Sequence, residues 1–278
     1  DPKLVESLAK AKSKGYESWQ EAKRKSDFDI FLPFFKELIK LRIEEAKQIS
    51  EIYSPWETLA QPFEPDLTLK WLNNTFQPLR ETIPTLIPEI KKSKKNSWDL
   101  SPQSQQNLCS KLLDEFGRNR DLVVVAESPH PFSITLGPND YRITTRIVEG
   151  EPFSSFLATA HEWGHSIYEQ GLPSQSHQWF SWPLGQATSM AVHESQSLFW
   201  ENRIVKSKSF AKRFFKNFVS EGCSLKSHLE LWKSINHLQA GLNRVEADEL
   251  TYGLHILIRT ELEIDLIEGD LEAKDIPY

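Results

Sequence analysis

The 278 residues are 39% hydrophobic and 26% charged, proportions that exclude collagen, fibre and wholesale disorder. No apolar run approaches the ~18 residues that a membrane span needs, and a chain of this length makes one large domain or two small ones. The 33 Lys and Arg against 39 Asp and Glu leave a net charge of −6, which argues against nucleic acid as the main partner.

In chain order, Ser26 and Asp27 are N-cap types. Phe28, Phe31, Phe34, Leu38, Leu41 and Ile49 follow at helical spacing, with Pro33 in a first turn. Residues 67–90 are again helical in pattern, and Pro78, Pro84 and Pro88 are expected to kink or divide the helix. The basic run Lys91-Lys92-Ser93-Lys94-Lys95 reads as a solvated helix end or loop. Ser101-Pro102 opens a short helix with Leu108, Leu112, Leu113 and Phe116 on its apolar face, and Gly117 closes it.

The period then changes. Residues 122–125 form a short buried-strand run, and 132–136 and 141–148 are β-rich segments about the turn signal Gly137-Pro138-Asn139. Helices resume at about 153–170, 184–207, 209–220, 226–238 and 247–268. The expectation is a mainly α fold in one region, 1–278. It has a helical part over 1–120, one small antiparallel β element over 121–150, and further helices over 151–278. Cys109 and Cys223 cannot build a disulfide framework and read as buried free thiols, with the cytoplasm as default compartment. The only Met is Met190, so the reading expects an N-terminal segment to have been lost.

His161-Glu162-Trp163-Gly164-His165 stands inside the helix that follows the β element. Residues four apart on a helix share a face, so both imidazoles can reach one metal ion. Glu162 is close enough to take a proton from water activated by that ion, without being a ligand. A neutral nitrogen–oxygen zinc site needs a third protein ligand and one open position. After a turn-rich break from Gly171 to Pro183 the next helix carries His193-Glu194-Ser195-Gln196, and its antiparallel return would place Glu194 third. His193 is a rival, but adjacent helical residues point about 100° apart, so only one of the two faces the metal. Ligand type favours zinc.

Asp140, Arg142 and Thr144 alternate along a strand and so project from one face, which by itself could be a charged solvent face. Arg244 and Asp248 are spaced for a surface ion pair at the entry of the last long helix.

Taken together these motifs resemble the carboxypeptidase Taq family of zinc metallocarboxypeptidases. That family is marked by D-x-R-x-T, here Asp140-Tyr141-Arg142-Ile143-Thr144, by H-E-x-x-H at His161 to His165, and by H-E-S-Q at His193 to Gln196. An Ile or Val followed by R-x-x-A-D corresponds to Asn243-Arg244-Val245-Glu246-Ala247-Asp248, where Asn243 replaces the aliphatic residue. His130-Pro131-Phe132 and Tyr168-Glu169-Gln170-Gly171-Leu172-Pro173 also look like the family.

The resemblance implies a helical zincin-type fold like that of neurolysin and angiotensin-converting enzyme, saddle-shaped with a deep groove. It implies release of single residues from peptide C-termini with broad specificity and poor tolerance of proline, and a homodimer, while charge and the lack of an apolar span set nucleic acid and membrane aside. His161, His165 and Glu194 would hold one zinc (Co2+ being another usable ion), with Glu162 as general base. Arg244 is the candidate for the substrate's terminal carboxylate. Arg142, read as more structural and tied to Asp140, stands with Asp140, Thr144 and His130 among the further substrate-binding candidates. A related endopeptidase or dipeptidase, or a non-catalytic peptide-binding domain of the same fold, are the alternatives. A fifth family motif, G-x-x-Q-D-x-H-W, would fall beyond Tyr278. The expectation is that these residues alone bind zinc, hydrolyse peptides feebly and expose a large apolar patch.

Overall fold

The computed structural model describes residues 1–90, 100–173, 176–242, 244 and 247–277. The basic run at Lys91-Lys92-Ser93-Lys94-Lys95 lies outside the described residues, as do Asn243, Val245 and Glu246 of the R-x-x-A-D stretch. The chain forms two compact units, Asp1–Leu86 with Tyr252–Tyr278, and Ile87–Thr251. The fold is mainly helical with one small sheet, and among the described residues no helix is long and apolar enough to cross a membrane.

In the first unit α1 (Pro2–Lys25) buries Leu4, Leu8, Ala11, Gly15, Ser18 and Ala22, a stripe at helical spacing whose aliphatic half packs with Leu41 of α2 (Leu32–Ile49). Neither α1 nor the short α3 (Pro55–Ala60) was expected from the sequence pattern. In α3 a capping box joins Ser54 and Glu57, and Glu57 also accepts the Leu69 N–H at 2.7 Å. The helix α4 (Leu69–Leu86) keeps Pro78 and Pro84 inside it and gives way to a 3-10 turn at Ile87–Glu89, so the expected division falls only before Pro88. The unit closes on α10 (Glu249–Glu268), where Ile267 joins Trp56 and Leu72 in a small core.

The second unit begins with α5 (Pro102–Glu115), capped by Ser101 and ended by Gly117 at φ 84°. Three strands follow, β1 (Val123–Glu127), β2 (Ser133–Gly137) and β3 (Asp140–Thr145). β2 and β3 form the expected antiparallel hairpin about Asn139, while β1 pairs parallel with β3 on its other edge. The sheet is therefore mixed, where the expectation was an antiparallel element.

Beyond it run α6 (Pro152–Gln170), α7 (Met190–Leu198), α8 (Lys208–Ser220) and α9 (His228–Ile235). The helix expected over 184–207 is broken. A 3-10 turn at Pro183–Gly185 precedes α7, which starts at its N-cap Ser189 and widens into a π-helix, Phe199–Val205. Phe156, Phe214, Phe218, Leu108, Leu112 and Leu231 centre the core of this unit, each almost wholly out of solvent.

Candidate metal centre

The site is built on α6, which is buried on most of its faces. Phe153, Phe156 and Ala160 enter the aromatic core, and Trp163 packs with Leu113, Val123 and Ile143. A buried polar chain fixes where the helix starts. Gln105 Nε2 donates to the Val148 carbonyl at 3.1 Å, Ser155 Oγ donates to Gln105 Oε1 at 3.0 Å, and Thr145 Oγ1 donates to the Ser155 carbonyl at 3.0 Å. Satisfied buried groups of this kind hold one register, because any slip leaves a donor or acceptor unpaired in a dry core.

On the remaining face His161 and His165 stand one turn apart, ring centroids 5.0 Å from each other. Gly164 decides what can approach them. A Cβ at that position would lie 2.4 Å from Ser197 Cα and 2.6 Å from the Gln196 carbonyl oxygen. Only glycine lets the two backbones meet so closely, and the contact carries α7 in with Glu194 facing the imidazoles. Glu194 Oε2 is 3.2 Å from His165 Nε2, and Oε1 is 3.7 Å from His161 Nε2. Two ligands at about 2.0–2.2 Å from a tetrahedral ion lie roughly 3.3–3.6 Å apart, so these separations bracket what an ion requires. One ligand atom from each of His161, His165 and Glu194 lies within 4.8 Å of the others, a set that two imidazoles and a carboxylate make suitable for a divalent ion.

Behind the triad, each imidazole is held by its other nitrogen. His161 Nδ1 is 2.9 Å from Glu201 Oε2, and the ammonium of the partly buried Lys206 is 3.6 Å from Glu201 Oε1. His165 Nδ1 is 2.6 Å from His193 Nδ1, and His193 Nε2 is 2.8 Å from Glu169 Oε1. Both nitrogens of His193 are thus engaged behind the triad, one by His165 Nδ1 and the other by Glu169, and of the two rivals it is Glu194 that faces the histidine pair. Ser197 Oγ hydrogen-bonds to the Glu194 carbonyl at 2.7 Å and lies 3.3 Å from its Oε2.

Burial works to push the His161 imidazole down, but the hydrogen bond and charge of Glu201, with Glu194 and Glu162, leave it raised. Burial would raise Glu194, and the His165 hydrogen bond with the two imidazole charges leaves it lowered. Glu162 is 7% exposed, and burial holds its carboxyl above the usual range, only partly offset by His161 and His165.

The other sequence candidates separate into structural roles. Arg142 Nε and Nη2 donate to both oxygens of Asp140 at 2.9 and 3.0 Å, a bidentate pair on the exposed face of the hairpin. Thr144, on the same strand face by alternation, is covered rather than exposed, and its Oγ1 accepts from the Phe132 N–H at 2.9 Å and from Ser128 Oγ at 2.6 Å. That ties down the loop carrying His130, whose Nδ1 is 2.7 Å from the Pro131 carbonyl and whose charge acts on Glu162. Asp248 caps α10, accepting from the N–H groups of Gln239, Leu250 and Thr251 at 2.8–2.9 Å. Among the described residues these backbone donors, and not Arg244, are its hydrogen-bond partners; Arg244 is half-buried. Sequence reasoning passed over Glu201, Lys206 and Glu169. Two of them carry a signal, Glu169 lying one helical turn beyond His165 and Glu201 two turns beyond Glu194.

The whole chain, residues 1–278, matches the carboxypeptidase Taq (M32) metallopeptidase family. It is 35% identical over 296 residues to thermostable carboxypeptidase 1 of Thermus thermophilus, covering 99% of this chain and 57% of that protein. With carboxypeptidase 1 of Bacillus subtilis it shares 35% identity over 276 residues, 95% of this chain and 54% of the other. The fold matches that of Trypanosoma cruzi metallocarboxypeptidase 1 with a TM-score of 0.90 at 31% identity, over 100% of this chain and 57% of that one. The chain thus spans a little over half the length of the relatives it matches. On this evidence the chain belongs to the carboxypeptidase Taq (M32) family of metallopeptidases.

Proposed function

We propose that this chain carries the catalytic centre of a zinc-dependent carboxypeptidase that releases C-terminal amino acids from peptides with broad specificity. Membership of a metallopeptidase family implies a divalent metal. His161, His165 and Glu194 are the residues that would hold it. Two imidazoles and a carboxylate without thiolate suit zinc, with Co2+ an alternative occupant. Such an ion supplies Lewis-acid polarisation of the scissile carbonyl and makes water more acidic.

The rest of the chemistry falls to the protein. Glu162, next to the first histidine and held above the ordinary carboxylate range by burial, accepts the proton of the attacking water and passes it to the leaving amine. Arg244 is the cation assigned to the substrate's terminal carboxylate, since a guanidinium can bind it with two parallel N–H bonds. Asp140, Arg142 and Thr144 act on substrate indirectly, by stiffening the hairpin and the loop that bears His130. An extended peptide lying along an exposed strand edge would be held by main-chain hydrogen bonds that ignore side-chain identity, in keeping with broad specificity. The observation that carries the reading is the approach of Glu194 to both imidazoles, at 3.2 and 3.7 Å, with Glu162 adjacent and buried.

The test is digestion by the Zn2+-loaded chain of one unblocked peptide and of its C-terminal amide, with products followed by mass spectrometry. Stepwise loss of single C-terminal residues from the free peptide alone is expected, and Glu162→Gln should slow it by about 10²–10⁴ while metal is retained. Internal cleavage of both peptides would mark an endopeptidase, and metal binding without any cleavage a peptide-binding domain. Unchanged turnover in metal-loaded Glu162→Gln would remove the base from its role.

A further inference from the structure

We propose that His193 is a positioning residue that relays the negative charge of Glu169 to His165 and thereby fixes which nitrogen of His165 faces Glu194. The inference rests on the reading that His161, His165 and Glu194 hold the metal. It follows from a chain of three hydrogen-bonding groups with one consistent direction. A neutral imidazole carries one N–H and one lone pair, and a carboxylate only accepts. Glu169 Oε1 lies 2.8 Å from His193 Nε2, so that nitrogen is the donor. His193 Nδ1 is then the acceptor, and the hydrogen in the 2.6 Å contact between the two Nδ1 atoms belongs to His165. His165 Nε2 is left with its lone pair, 3.2 Å from Glu194 Oε2. The opposite direction would set the His193 Nε2 lone pair against the carboxylate and place a hydrogen on His165 Nε2, where a metal must bind.

The ring of His193 is not free to turn. Its side chain is 12% exposed, and Tyr168 packs on it edge-on with centroids 4.9 Å apart. The other histidine is oriented by a different device, a carboxylate that reaches His161 Nδ1 directly and is itself held beside Lys206. A group behind a ligand orients it and raises its basicity, and its loss typically weakens metal binding 10–100-fold. Glu169 gives His165 the same charge that Glu201 gives His161, carried one residue further through an imidazole.

The experiment measures Zn2+ affinity of the full chain by competition with a chromophoric chelator, with circular dichroism as the check on folding. His193→Phe keeps a ring and removes both nitrogens; about 10–100-fold weaker Zn2+ binding is expected. His193→Asn loses the ring but offers Oδ1 where Nδ1 accepted, and should recover most of the affinity. A packing role alone would reverse that order. Parent-like affinity in His193→Phe, or weaker binding in His193→Asn than in His193→Phe, overturns the relay.

X-ray absorption on the Zn2+-loaded parent gives a reading that needs no variant. Two imidazoles per zinc are expected, and three would make His193 a ligand and overturn the proposal. Failure of the parent to bind Zn2+ would sink the metal reading itself, and the relay with it. Tight binding by the parent with an indifferent His193→Phe sinks the relay alone.

Discussion

Each of the two units has a glycine buried in the middle of a helix, and the two glycines have different work. A Cβ on Gly15 of α1 would meet nothing nearer than a Phe31 ring carbon at 4.0 Å, an ordinary contact. A Cβ on Gly164 of α6 would strike the backbone of Ser197 at 2.4 Å. At Gly15 the neighbouring segment is met through a side chain, so the backbone there has room to spare. In the second unit α6 and α7 touch through backbone, and that contact brings Glu194 within reach of two histidines.

The cores differ in the same sense. Leu4, Leu8, Ala11 and Leu41 make a thin aliphatic seam between α1 and α2. The second unit packs Phe156, Phe210, Phe214 and Phe218 ring against ring, with Gln105, Ser155 and Thr159 hydrogen-bonded and out of solvent beside them. The candidate metal centre sits in the more tightly packed unit, as a site that must hold ligands to a fraction of an ångström requires.

The contrast in cores gives the largest expected effect. Phe156→Ala should cost about 3–5 kcal/mol, since a fully buried ring leaves a cavity that its aromatic neighbours cannot close. Leu8→Ala should stay near the low end of its class, about 2 kcal/mol, because the seam is shallow and can settle. Hydrogen exchange resolved by segment measures the two losses separately, and equal losses would break the comparison.

The glycines give a smaller effect with a change of sign. Gly164→Ala should destabilise by about 1–3 kcal/mol through overpacking and weaken metal binding as α7 is pushed away. Gly15→Ala should stabilise by about 0.5–1 kcal/mol, the ordinary gain for alanine in a helix. Chemical denaturation of both variants checks the pair, and two shifts of the same sign would remove the distinction between side-chain and backbone contact.

Much of the metal centre was legible because a helix writes its faces into the sequence. The spacing of His161 and His165, and the carboxylate in the next helical segment, were enough to nominate the triad that the fold brings together. The Asp140–Arg142 pair was equally readable, being two residues apart on one strand.

The groups behind the ligands were harder to read. Glu201 is spaced two turns beyond Glu194, but it faces His161 from a π-helical turn, and the spacing alone does not say which group it meets. Glu169 reaches His165 only through His193, so that connection is set by packing between α6 and α7. Thr144 shares a strand face with Asp140 by alternation, yet it is buried because the strand ends under the Ser128–Phe132 loop. The helix α1 went unnamed because four of the six residues of its buried stripe are Ala11, Gly15, Ser18 and Ala22, too small or polar to register as apolar pattern. The strand β1 was readable as the run at 122–125, but its parallel pairing was not. Its partner β3 comes after the hairpin turn, so local sequence carries no trace of the pairing.

The most direct test of the account is anomalous diffraction at the zinc edge from crystals of the Zn2+-loaded chain. The account predicts one peak per chain, about 2.0–2.2 Å from His161 Nε2, His165 Nε2 and a Glu194 carboxylate oxygen, with Glu162 outside the ligand shell. A peak elsewhere, or one that His193 or Glu162 completes while Glu194 stands apart, would contradict it.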